Sequence, residues 1–189
     1  MYQICVSGAA KGDSVEDGRL LAGQLGKAIA AAGHSLLTGA TVGLPNYAAE
    51  AYKKAGGTMS VGISPAASKI EHVMKYHLPT KAYDTIIYTG LHYVGRDMLL
   101  ITSSDAVVSL GGRLGTLHEF TIAMETGTPI GFLQGAGGIS EEVQTLISLA
   151  QPLPIGSMVT FSESATELIK DLTDYLDTEN VKYHTLYQK

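Results

Sequence analysis

The sequence predicts an α/β fold: a doubly wound, three-layer sandwich around a mostly parallel sheet of about six or seven strands. Three observations carry this. Short apolar runs alternate with helical patterns from end to end. The runs are apolar on both faces, as strands covered on two sides must be. Glycine-rich loops recur after the strands rather than before them.

The elements follow in order. "QICVS" is the first strand, bounded by "GAAKGD". Residues 14–32 place Leu20, Leu21, Leu25, Ala28 and Ile29 at helical spacing, and Gly33 is the stop. "SLLTG" is the second strand, followed by an alanine-rich helix over 46–55 that ends at Gly56-Gly57. "TMSVGIS" is the third strand, closed by Pro65. The irregular stretch 66–82 is read as a short helix and a loop. "DTIIYTG" is the fourth strand, and "HYVGRDMLLITS" a helix in which Tyr93, Met98 and Leu99 form an apolar set for core or interface. "DAVVSL", "PIGFL" and "SMVTF" are the remaining strands, each followed by a helix. The last helix, "ATELIKDLTDYL", ends the single domain 1–176, and 177–189 is read as a polar C-terminal tail. No repeat and no linker divides the chain. Right-handed crossovers between parallel strands make the whole Rossmann-like.

Composition narrows the function. With 45% hydrophobic and 16% charged residues, the chain has a compact globular composition. Its net charge is −5 and it has no Lys/Arg-rich run, so a nucleic-acid polymer is not the expected partner. The single cysteine, Cys5, sits in an apolar run and reads as core. No basic segment precedes a long apolar stretch, and no run is long enough to span a membrane. A cytoplasmic location is the expectation.

In such a fold, ligands bind beyond the carboxyl ends of the strands. There the chain places "SGAAKGD", "TGATVGLP", "GGRLGT" and "QGAGG". Ser7, Gly8, Gly39, Thr41 and Gly43 fall in the first two loops and are candidate nucleotide-binding residues. Neither the dinucleotide fingerprint nor the Walker pattern occurs. His118-Glu119 lacks the second His of a zincin, so no metal site is expected. No G-x-S-x-G elbow supports a serine hydrolase.

The fifth loop, "SLGGRLGTLHE", has two readings. Glycines beside a helix start make an anion site suited to phosphate. Thr116 and Glu119 also fit a capping box, which would give them a purely structural role. Spacing alone leaves both open.

Here the chain resembles the LOG (Lonely guy) family, whose signature is Pro-Gly-Gly-x-Gly-Thr-x-x-Glu with an arginine upstream of Ser-Asp-Ala. Gly112, Gly115, Thr116 and Glu119 match it, and Arg96 precedes Ser104-Asp105-Ala106 at the family's spacing. "ICVSGAA", "TGATVGLPNYAAEAYKKAGG" and "SVGISP" are similar to the family's first three units. The resemblance covers about residues 3–133. Gly111 stands for the signature proline, Arg113 for its second glycine, and Asp97 for the lysine after the arginine.

The resemblance implies a nucleoside 5′-monophosphate phosphoribohydrolase, a homodimer with no cofactor, which releases free base and ribose 5-phosphate. Glu119 would stabilise the oxocarbenium-like ribose and activate water. Arg96 would hold carboxylate, phosphate or ribose in place. Gly112, Arg113, Gly115 and Thr116 would cradle the phosphate. The wider superfamily also contains nucleotide sensors and carriers of a phosphorylated pterin (molybdenum) cofactor. That alternative keeps the loop without turnover, and the substitutions at Gly111, Arg113 and Asp97 favour it.

Overall fold

The computed structural model describes residues 1–150 and 158–187. Seven parallel strands form one sheet: β1 (Gln3–Gly8), β2 (Ser35–Thr38), β3 (Ser60–Ser64), β4 (Thr85–Tyr88), β5 (Ala106–Leu110), β6 (Ile130–Leu133) and β7 (Val159–Ser162). Their spatial order is β4-β3-β2-β1-β5-β6-β7. The expected doubly wound α/β sandwich is therefore the observed one.

Two apolar layers sandwich the sheet. On one face α2 (Arg19–Ala31), α3 (Leu44–Lys54) and α7 (Ala165–Tyr187) bury Leu25, Ile29, Leu44, Tyr52, Leu168 and Leu172 against Ile4 and Val6 of β1. On the other, α4 (His92–Thr102), α5 (Leu114–Thr126) and α6 (Ile139–Leu149) bury Leu100, Ile101, Phe120, Ala123 and Val143 against Cys5 and Val107. Successive strand residues point to opposite faces, so Cys5 and its neighbours enter different layers. Cys5 is core, and burial pushes its thiol pKa well up, as expected of a structural cysteine.

Three boundaries differ from the sequence reading. The helix expected over 14–32 is two: α1 (Asp13–Asp17) precedes α2, with Gly18 between them. A side chain at Gly18 would run into Ala136 and Leu44. The stretch 66–82 carries one π-helical turn, Glu71–Lys75. And α7 continues through most of the expected polar tail, to Tyr187. No Gly or Pro interrupts it, and Tyr2 holds it to the first strand through hydrogen bonds with Asp177 and Asn180. Residues 188–189, the end of that tail, and Ser157, the start of "SMVTF", lie outside the described residues. Among the described residues, no helix is long and apolar enough to cross a membrane.

Candidate functional site

The sheet's topological switch lies between β1 and β5, neighbours that lead to opposite halves of the fold. A cavity of about 540 Å³ opens there, at the carboxyl ends of the strands. Its size suits a small ligand. The loops after β1, β2 and β5 and the inner turns of α4 and α5 build its walls.

The glycine-rich loop after β5 turns directly into α5. Gly112 has φ +90°, a conformation side chains rarely adopt, and a Cβ there would overlap Thr116. Its carbonyl accepts the Ile139 amide at 3.0 Å, which ties the loop to the start of α6. Arg113 is the N-cap residue of α5 and gives no side-chain cap bond. The helix begins at Leu114, so Thr116 and Glu119 already lie inside it. Glu119 instead accepts a hydrogen bond from Ser7 Oγ. The capping-box reading is thereby excluded, and the start of α5, uncapped by any side chain, adjoins the cavity through Arg113, Gly115 and Thr116.

Four ionisable groups meet behind the loop. Arg96, 4% exposed, lies under the cavity floor, where a Cβ on Gly39 would collide with its guanidinium. Its Nε is 3.3 Å from Asp97 Oδ1, close enough for an ion pair but out of line for a hydrogen bond. Nε and Nη1 therefore have no hydrogen-bond partner although both are buried. Asp97 accepts a 2.9 Å bond from His118 Nδ1. Burial, then the Asp97 charge, pushes the Glu119 carboxyl up to about 7 against the pull of Arg96. Burial also raises Asp97. A buried cation thus keeps unfilled donors beside a carboxyl whose ionisation is opposed by burial.

Of the residues expected to bind or act, Ser7, Gly8, Gly39, Thr41, Arg96 and Glu119 line the cavity, as do Arg113, Gly115 and Thr116. Gly43 and Gly112 stand behind its wall: Gly43 (φ +82°) packs against the backbone of Ala9 and Ala10. Sequence reasoning missed Lys11, Tyr76, His77 and Leu78 as wall residues, and the pairing of Asp97 with His118. Asp97 and His118 sit on different helices, so no local spacing signals their pairing. Tyr76 to Leu78 follow the π-helical turn, where periodicity is lost. Among the described residues, no three His, Cys, Asp or Glu side chains converge as a metal-binding group.

Comparison with known proteins corrects the expected chemistry. The molybdenum cofactor carrier protein of Chlamydomonas reinhardtii shares 29% identity, with 94% of this chain and 99% of that one covered and a TM-score of 0.75. The molybdenum cofactor binding protein of Rippkaea orientalis shares 30%, with 91% and 97% covered and a TM-score of 0.68. An uncharacterized protein of Archaeoglobus fulgidus is 32% identical over 134 residues, 71% of this chain and 81% of that one. The two cofactor proteins are carriers or binders. The expectation of a phosphoribohydrolase, with catalytic roles for Glu119 and Arg96, does not hold against them. The physical reason is that a glycine-rich loop before a helix is the same local structure whether a fold holds a ligand or cleaves one, so the loop signature does not report a reaction. The resemblance to LOG holds only at the level of the wider SLOG grouping: the SLOG cluster4 family matches residues 1–168, and this chain belongs to that family.

Proposed function

We propose that this protein binds and carries a phosphorylated, ring-bearing small molecule, of the phosphorylated pterin (molybdenum cofactor) type, without turning it over. The observation that carries the reading is Arg96: a buried guanidinium with unfilled donors beneath a cavity rimmed by the amides of α5. A ligand phosphate supplies the missing acceptors, at about 1.5–3 kcal/mol for each charge-assisted bond. Lys11 and Arg113 add positive charge at the same cavity, although the chain as a whole is acidic. Likeness to cofactor carriers over nine-tenths of the chain supports holding rather than cleavage.

The outer side of α4 supports a homodimer, since Val94, Met98 and Leu99 are 71%, 48% and 42% exposed there. Their place is an exposed face, not the core.

The test is to purify the protein from a host that makes the cofactor. The released small molecules are read for pterin fluorescence and molybdenum, and the protein is incubated with nucleoside monophosphates. Bound pterin near one per chain and no free base is the expected result. Free base formed from a monophosphate, with no pterin retained, overturns the proposal.

A further inference from the structure

The phosphate end of the cavity is accounted for by α5 and Arg96. Another part of the wall is aromatic. Tyr93 begins the face of α4 that carries Arg96 and Asp97, three and four residues on. Those spacings share one helical face, so Tyr93 stands about one turn before Arg96 and Asp97 on the side of α4 that meets the cavity. Tyr76, from the irregular segment after β3, meets it edge-on, with ring centroids 5.6 Å apart and planes at 78°. The two rings make a corner.

The corner is held by unusual backbone. Among the described residues, three non-glycine residues have positive φ: Ala40 (+52°), His77 (+54°) and His92 (+57°). His77 lines this cavity, and Ala40 and His92 adjoin residues that line it. Ala40 lies between Gly39 and Thr41. His92 precedes Tyr93, and its Nδ1 and the Tyr76 hydroxyl are hydrogen-bonded at 2.7 Å. Left-handed backbone outside glycine concentrates where a fold must fix a functional geometry. A second brace lies behind: His72, fully buried, joins Ser64 Oγ at 2.8 Å to the Pro79 carbonyl at 3.0 Å. It pins the Tyr76–Leu78 wall to β3.

One face of Tyr76 is already taken, with the Lys75 ammonium 5.3 Å from the ring centroid. Tyr93 is 45% exposed and has no such cover. Leu78, buried, adds an apolar contact to the same wall.

We infer that the Tyr76–Tyr93 corner is the ring-recognition wall of the cavity, taking the planar nitrogen heterocycle of the ligand on Tyr93 with Tyr76 at its edge. The inference rests on the carrier reading above and adds the part of the ligand that reading leaves unassigned. Offset stacking and edge contacts suit a purine or a pterin equally, since each presents a π-face.

Calorimetry tests it with three probes on the whole protein: GMP, ribose 5-phosphate, and neopterin monophosphate. Wild type is expected to bind the two ring-bearing probes about tenfold or more tightly than ribose 5-phosphate. Tyr93→Ala removes that advantage and leaves the ribose 5-phosphate affinity unchanged. Tyr93→Phe keeps it, because the ring and not the hydroxyl does the work. Tyr76→Phe, which loses the bond to His92, weakens the ring-bearing probes only. Preference for neopterin monophosphate over GMP selects a pterin ligand, and the reverse a purine. Equal loss for all three probes in Tyr93→Ala means a structural role and overturns the inference, as does no loss for any. If wild type binds none of the probes, the carrier reading itself falls and the inference with it.

Discussion

Glu119→Gln isolates the buried charge at the centre of the site. Gln keeps the volume and still accepts the Ser7 hydroxyl, so packing and the hydrogen bond survive. What changes is the ionisation. The Glu119 carboxyl has a value of 4.5 in the unfolded chain and about 7 in the fold, because burial and Asp97 oppose its charge. The folded state thus binds the proton more tightly. Its stabilising contribution is full below the unfolded value and is lost as pH rises through about 7. Integrating the two titrations from about pH 5 to about pH 8.5 gives a loss of about 2–3 kcal/mol in wild type. The Gln variant has no such loss. At this chain length a kilocalorie corresponds to about 2–4 °C, so the variant should gain about 5–10 °C in Tm on wild type across that interval. Calorimetric melting of both proteins, without ligand, at the two pH values measures it. A Tm difference that does not change with pH would refute the claim that Glu119 is a buried, proton-holding carboxyl.

The same carboxyl predicts a pH-dependent affinity. Ionised Glu119 repels a ligand phosphate, so GMP should bind wild type more weakly as pH rises through about 7, while Glu119→Gln stays flat; calorimetry at several pH values decides. Arg96→Met should weaken GMP binding by about tenfold to a hundredfold through loss of charge-assisted bonds, and unchanged affinity would remove Arg96 from the ligand site. Gly39→Ala should displace the Arg96 guanidinium and mimic that loss with the fold intact by circular dichroism. Light scattering of the free protein should give about twice 19.9 kDa if α4 joins two copies; a mass at the monomer value rejects that interface.

The sequence by itself determined the layered fold. Alternation of doubly apolar strands with helices leaves few arrangements that bury both faces, and the order of elements survived unchanged from β1 to α7. It also determined at which edge the cavity opens, and that "GGRLGT" opens a helix there, because glycine at φ +90° is a local requirement written in local residues. Its own extent was less legible: the helix after Ala165 runs past Leu176 because Tyr2, far away in sequence, bonds its later turns.

Only the tertiary structure decided what surrounds the loop. Thr116 and Glu119 have capping-box spacing, yet the helix starts two residues earlier and Glu119 turns to Ser7 on β1. The unfilled donors of Arg96, the Asp97–His118 bond and the Tyr76–Tyr93 corner each join residues from different elements. Burial, and with it the shifted carboxyl of Glu119, exists only once those elements pack. A motif states which groups stand near one another along the chain. Whether they hold a ligand or react with it depends on charges and walls that arrive from elsewhere in the fold.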